Sequence, residues 1–598
     1  MKHYQRNLTS KFAFAAFLAL GTLTVTSCNK DKNNQEITAE ETQLVVRVAG
    51  INNGDQINTV ASKRSKSAKS QYQLTRGNDF DVISTVDNDL PATPIASGSQ
   101  VGLKAASGSR AAAKPVASGT KYTLFLYKKN GTSYTFEKAV ELSAGEEPTI
   151  SVTNGATYKW VAMSYNSTTE AFGQGQTLTN PEQKDVLRAE GEVTISSTNP
   201  ININFNRVFA RIGVELNTMG MFAPIVDANV TITGLQGQLK TGTIDVLTGN
   251  VSNLTAVTAP AFSYADFTTL AGSDGQQKIA YYYTLDPTQL TVNVSASNLT
   301  IKVDNNTDRH FPTGTASTGN KSFVPTLGQN HRILLSIAES PVTYNNVSWG
   351  RSNLYYKAGY NPYRFYHFNP NNPAKEESFF SFRGHLPLRF ASNDGAAQKD
   401  PCALIYPAGL WKTPTSAELS TVTSNTALLD NLLDGILDAL IPTPGTSGAT
   451  YGTNYIEYTN SSGVQSTVYP AATQKLRFNY NGVGTAVSVV SGLVNLNLGD
   501  VDQVATIWSS DRLLDSELLG LNLVGVGAWG YMAYTAPAGG LVPPRPKRAI
   551  ASKAAGVLNL NALGLGVIES KFQNVRCTRN ANWATQSAQP GYNPMPVY

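Results

Sequence analysis

Three cysteines in 598 residues constrain this chain more than any other feature. Cys28 closes Val25-Thr26-Ser27-Cys28, which places small residues before a cysteine. Ahead of it lie a basic n-region (Lys2, Arg6, Lys11) and an apolar run from Phe12 to Leu20. That layout is a bacterial lipoprotein signal, so residues 1–27 read as a signal peptide and Cys28 as the lipidated first residue of the precursor. The alternative for Cys28 is a buried free thiol. An exported chain meets an oxidising compartment, where a disulfide persists. With Cys28 spent, Cys402 and Cys577 are left to pair with each other. Closing a loop of that length contributes roughly 5 kcal/mol on the chain-entropy account, as an upper bound.

A chain this long exceeds one core, so two to four domains are expected. Only 15% of residues are charged, while 49 are Gly and 29 Pro, which favours many short strands joined by turns. A net charge of +5 is mild for this length and does not point to nucleic acid. Five histidines and three cysteines leave little material for a metal site or a Cys/His enzyme. No nucleophile elbow, phosphate loop or zinc motif is present. Neither an enzyme nor a cofactor is expected, and no apolar run beyond the signal is long enough to span a bilayer.

Residues Asn29 to Glu36 form a polar tether, and Thr42 to Val48 alternate as one strand. The pattern then lapses over 52–118, with a basic Ser-rich run at 63–70 and an Ala/Ser/Gly/Lys-rich stretch at 96–118. Such segments bury too little apolar area to offset the entropy of ordering. One reading is a plain flexible linker. The other is a protease-exposed arm with Arg47, Arg64, Arg76 and Arg110 as trypsin-like cleavage points. Strands follow at 122–127, 134–140, 148–152, 157–165, 201–205, 208–216, 228–233, 278–285, 290–294, 299–303 and 332–337. Turn signals such as Asn130-Gly131 and Asn154-Gly155 separate them, and no strong amphipathic helix intervenes. This predicts β-sandwiches.

The pieces Val45-Val46-Arg47-Val48, Tyr158 to Asn166 (YKWVAMSYN), Phe209 to Val214 (FARIGV), Val230 to Gly234 and Phe323-Val324-Pro325, behind a lipobox, resemble the fimbrillins of Bacteroidetes type V pili. The resemblance implies two tandem transthyretin-like β-sandwiches, here about 40–195 and 200–340, with 28–118 as tether, first strand and arm and 119–195 as the rest of the first sandwich. It further implies that an arginine-specific protease removes the N-terminal strand. A neighbouring subunit's strand then fills the groove, which is β-augmentation. Arg76-Gly77 and Arg110-Ala111 are the favoured cuts over Arg47, which lies inside the strand.

Downstream, Pro401 to Leu419 reads as a short buried strand, a Gly turn, a Trp anchor and a helix start. Thr413 or Thr415 caps that helix, with Pro414 in its first turn. Asn574 to Arg579 is its expected partner. Trp411-Lys412-Thr413-Pro414-Thr415-Ser416-Ala417-Glu418 and Val575-Arg576-Cys577-Thr578-Arg579 resemble the signatures of a C-type-lectin-like fold. That variant occurs in formylglycine-generating-enzyme-like and major paralogous domains. The domain implied is 341–580, with an opening strand at Trp349 to Tyr356 and a tail at 581–598 that is disordered or on the surface. The only two cysteines here match the structural pair, leaving none for the oxidase chemistry of those relatives. His367 and His385 are too few for their iron chemistry. Trp508-Ser509-Ser510-Asp511 keeps only the ends of a calcium-lectin motif.

Aromatics crowd 355–382 and read as core, with sugar stacking the alternative. Thr426 to Leu440 is the clearest amphipathic helix, its Asp430, Asp434 and Asp438 forming a solvated face. Val487–Val501, Leu513–Val526 and Val557–Ile568 are apolar inserts that either form an extra layer or bind a partner. Pro543 to Arg548 is a basic proline-rich loop.

The expected class is mainly β, two sandwiches followed by an α+β lectin-like domain. The expected function is a minor fimbrial subunit, a tip adhesin on the cell surface. It starts as an outer-membrane lipoprotein precursor, and its partners are other fimbrial subunits and a host or bacterial protein or glycan. The alternative is a non-polymerising surface lipoprotein that binds glycans for nutrient capture and keeps Cys28 and the arm.

Overall fold

The structure, a computed structural model, describes residues 41–52, 72–91, 114–196, 200–304, 306–366, 376–389, 399–422, 449–459, 474–490, 493–499, 501–512, 525–534, 548–559, 567–589 and 592–594. It is mainly β. Among the described residues the α-helices are two short turns, α1 (Ser416–Ser420) and one at Trp583–Ser587. None is long and apolar enough to cross a membrane. Cys28, Arg64, Arg110, His367, the helix expected at Thr426 to Leu440 and the loop from Pro543 to Lys547 lie outside the described residues.

The first sheet has seven strands. From edge to edge they are Ser133–Ser143, Lys121–Asn130, Thr157–Ser164, Leu187–Thr194, Ile201–Arg207, β1 (Glu41–Ile51) and Thr149–Thr153. Alternation along β1 sends Leu44 and Val46 inward, where they meet Ile150, Val152, Tyr122, Leu124 and Trp160. The sheet therefore folds over its own core. Ile201–Arg207, expected to open the second sandwich, belongs to this sheet instead. Its Ile201, Ile203 and Phe205 alternate into the same core.

A second pair of sheets encloses the next core. One has six strands, ordered Thr268–Thr269, Gln277–Thr284, Ala210–Gly220, Asn330–Glu339, β3 (Phe80–Val86) and β2 (Gln73–Thr75). The other carries Ile225–Thr233, Leu290–Lys302 and Asp308–Ser317. The runs 290–294 and 299–303, expected as two strands, are one strand with a bulge. Asn298 takes a φ of 55° there, and the register shifts between Ser297 and Leu299.

β3 corrects the expectation of a patternless arm over 52–118. Its residues are buried except at the end, and it pairs with Asn330–Glu339 from Phe80↔Glu339 to Val86↔Ile333. Phe80 and Val82 face the sandwich core. Ile83 faces the opposite way, into a second core. A strand buried on both faces shows no alternation.

That second core joins the sandwich to the C-terminal region. Ile83, Leu334 and Ala338 pack with Phe365, Tyr406, Trp411, Trp508 and Trp583 around the disulfide Cys402–Cys577. The two ends of the region meet in one small sheet of Val342–Tyr344, Val347–Trp349, Thr578–Arg579 and Trp411–Lys412. Most of the crowded aromatics are core, including Tyr355, Tyr363, Phe365, Phe379, Phe380 and Phe382. The expected strand at 349–356 is split into Val347–Trp349 and Leu354–Tyr356.

Cys402–Leu404 is a 3-10 turn rather than a strand, because Asp400 accepts from the Cys402 and Ala403 amides at 2.8 and 3.4 Å and turns the chain. Thr415 caps α1 in a capping box with Glu418, so Pro414 precedes the cap and is not in the first turn. The tail is not wholly at the surface. Trp583 is fully buried and donates its indole N–H to the Ala408 carbonyl at 3.0 Å. The inserts contribute to a further six-stranded sheet, ordered Leu493–Gly499, Val483–Val490, Val567–Phe572, Arg548–Asn559, Gly525–Tyr534 and Val504–Arg512.

Candidate functional site

β1 lies between two strands that do not pair with each other. It runs parallel to Ile201–Arg207, with Val46 opposite Ile201, and antiparallel to Thr149–Thr153, with Leu44 opposite Ile150. Taking β1 away leaves two strand edges with unpaired backbone groups and an apolar gap where Leu44, Val46 and Ile51 sat. Its outward contacts are of the weak surface kind. Arg47 pairs with Glu147 at 2.9 Å with both side chains about half exposed, and Ser151 donates to Glu41 at 2.5 Å. Past a register shift between Val48 and Gly50, Ile51 and Lys114 exchange backbone hydrogen bonds at 2.8 and 3.0 Å. The end of β1 and Lys114 are therefore neighbours.

Of the four arginines singled out in the sequence, two are described. Arg47 lies within β1 in its Glu147 pair. Arg76 is exposed in the loop between β2 and β3. Just beyond that loop, Asp81 is fully buried, and Arg579 of the C-terminal sheet donates to it at 2.7 Å. Burial pushes the Asp81 carboxyl up, and the Arg579 guanidinium pulls it back. The backbone amide of Gly77 donates to the other Asp81 oxygen at 3.2 Å. Sequence reading missed β3, although Phe80 to Val86 is rich in β-branched residues. The polar Asp81 inside it has no visible partner until Arg579 arrives from nearly five hundred positions away.

The C-terminal region carries an open cleft of about 630 Å³ between the 409–415 segment and the tail. Lys412, Gln586, Gln589, Tyr592 and Asn593 line it, over a floor that includes Trp411. Asp400 fixes the floor by accepting from the Thr413 amide at 2.9 Å and its hydroxyl at 2.7 Å. Gly409 has a φ of 81°, and a Cβ there would meet the Tyr592 hydroxyl at 1.9 Å, so glycine lets the tail close over this wall. Burial pushes the Tyr592 hydroxyl up to about 12, so it stays a neutral donor and acceptor. Lys412 is engaged by Glu418 at 2.8 Å. The cleft is thus lined by side-chain amides and a hydroxyl beside the Lys412–Glu418 pair, which suits an uncharged polar ligand.

Asp511 does not face open solvent as a metal ligand would. It accepts from both the amide and the hydroxyl of Ser416 at 2.6 Å and so holds the start of α1. Trp508 is buried and donates to the Phe380 carbonyl at 2.8 Å. No group of three or more potential metal ligands occurs among the described residues.

No family model matches this chain, and no curated protein does. Solved structures from Bacteroidetes are similar to parts of it. A candidate cell adhesion protein from Bacteroides fragilis is 14% identical, covering 51% of this chain and 99% of its own, with a TM-score of 0.26. A candidate cell adhesion protein from Bacteroides eggerthii is also 14% identical, over 51% of this chain and 88% of its own, with a TM-score of 0.24. The fimbrial anchor protein Mfa2 from Porphyromonas gingivalis is 13% identical, over 38% of this chain and 90% of its own, with a TM-score of 0.17. Likenesses this low carry no argument about fold or role.

Proposed function

We propose that this chain is a minor, tip-located fimbrial subunit, non-enzymatic and without a cofactor. On this reading the N-terminal half is a tandem of transthyretin-like sandwiches that joins the fibre, and the C-terminal half is a lectin-like domain that presents a ligand site at the polar cleft. The carrying observation is β1, an N-terminal strand that completes a sheet between two strands not paired with each other and is held outwardly by exposed contacts such as the Arg47–Glu147 pair. Arginine-specific cleavage frees it, and a neighbouring subunit's strand takes its place.

The cut must fall after β1 and before β3. Arg64 and Arg76 satisfy this. A cut at Arg47 splits β1. A cut at Arg110 yields a fragment that cannot leave without drawing the buried β3 from the second sandwich. The test is the N-terminus of the mature protein recovered from the cell surface. A terminus just after Arg64 or Arg76 is expected. An intact lipidated Cys28 overturns strand removal and leaves a free-standing glycan-binding surface lipoprotein.

A further inference from the structure

The loop at Arg76 does more than offer a peptide bond. The two residues after Arg76 are fastened in advance. The Gly77 amide donates to Asp81 at 3.2 Å. The Asn78 carbonyl accepts from the Ser340 hydroxyl at 2.8 Å and from Arg351 at 3.2 Å. Gly77 sits so close to the following turn that an added Cβ would meet the Phe80 carbonyl oxygen at 2.4 Å. Arg76 itself projects into solvent on a hairpin loop, where nicking is easiest.

We infer that Asp81 is a ready-made receptor for the α-ammonium created when the Arg76–Gly77 bond is cut. This rests on the reading that arginine-specific cleavage frees β1. An arginine-specific endopeptidase adds one water across the C–N bond. Arg76 leaves with the new carboxylate, and the nitrogen of Gly77 takes up protons to become an ammonium. No atom has to travel, because that nitrogen already stands within hydrogen-bond reach of the carboxylate. A neutral amide bond becomes a charge-assisted one. The other charges facing Asp81 are Arg579, Arg351 and Arg76. Cleavage thus exchanges the more distant Arg76 cation for one in direct contact. The receptor is tied to Arg579, so the cut is sensed at the seam between the second sandwich and the C-terminal region.

The experiment uses the full-length chain, nicked under native conditions with an arginine-specific protease. The nicked protein is acetylated over a pH series with an amine-reactive ester, then unfolded, digested and quantified by mass spectrometry at the Gly77 amine. An ordinary α-amine titrates near 7.7–8.0. Pairing with Asp81 holds it higher, so labelling at pH 7 is expected to run at least about tenfold slower than for the same amine in urea. Asp81→Asn should restore the ordinary rate. Where that variant does not fold, the native-against-urea ratio of the unmutated protein decides alone. An ordinary titration at Gly77 in the native nicked protein, or resistance of Arg76 to native cleavage, overturns the inference. A cell-surface protein that keeps Cys28 overturns the strand-removal reading separately.

Discussion

β1 and β3 come from the same N-terminal stretch, and both complete sheets made by later parts of the chain. They are held in different ways. β1 buries one face, shows alternating exposure and touches its surroundings outwardly through an exposed ion pair and an exposed hydrogen bond. β3 buries both faces and carries a charge, Asp81, whose partner Arg579 lies on the C-terminal sheet. The difference teaches where a chain of this kind can be divided. One strand is held by what a replacement strand can also supply, namely backbone pairing and apolar side chains. The other is held by a partner no replacement brings.

The hardest blow to this contrast is Asp81→Ala. It leaves Arg579 buried without its counter-charge, which costs about 3–5 kcal/mol. Urea denaturation of the intact precursor should show a loss of that size. A loss below about 1 kcal/mol would mean that Asp81 is not what fixes β3. The next comparison is a matched pair. Leu44→Ala and Ile83→Ala each remove a fully packed side chain, at about 2–5 kcal/mol. Leu44→Ala should weaken the precursor and leave the processed protein untouched, because β1 is gone. Ile83→Ala should weaken both forms alike. Equal behaviour of the two variants would erase the distinction between a departing and a staying strand.

The disulfide sharpens the contrast further. Cys402→Ala with Cys577→Ala should cost about 2–4 kcal/mol, since the bridge constrains a long loop of the unfolded chain. The bridge sits in the core that receives Ile83, away from the core that receives Leu44. Hydrogen exchange should therefore quicken in β3 and at Trp411–Lys412 and stay unchanged in β1. Faster exchange in β1 would show that the two sandwiches are coupled through this core.

How far the sequence could be read follows from the same contrast. β1 was legible because one buried face imposes a period of two on Leu44, Val46 and Val48. The later strands were legible for that reason and for their Gly turns. β3 was not, because burial on both faces removes the period and Asp81 interrupts the apolar run. Neither was the place of Ile201–Arg207, since alternation shows a strand's face and not which sheet it joins. In the C-terminal region the meeting of Trp411-Lys412 with Thr578-Arg579 and the Cys402–Cys577 bridge were both legible. The cleft was hidden because Gln586, Gln589 and Asn593 look like an ordinary polar tail. Only the burial of Trp583 turns that tail back against Gly409 and makes a wall of it.

Acidity tests the first sheet with a smaller effect. In the sheet that holds β1, Glu190 accepts from Arg188 at 3.0 Å and pairs with Lys159 at 2.9 Å. The Arg188 hydrogen bond, aided by Lys159, holds its carboxyl down to about 2. A carboxyl held low when folded gives stability that is present above the ordinary glutamate range near 4.5 and lost as the pH falls toward 2. Glu190 is 42% exposed, so solvent screening keeps that contribution below about 1 kcal/mol. Asp81 differs, because it is fully buried and its counter-charge is the buried Arg579. Glu190→Gln should therefore flatten the fall in urea midpoint between pH 5 and pH 3 while leaving the midpoint at pH 7 slightly reduced. An unchanged slope would show that the acid response of the first sheet comes from other carboxylates. The contrast between the strands would then rest on packing and on the Asp81–Arg579 pair alone.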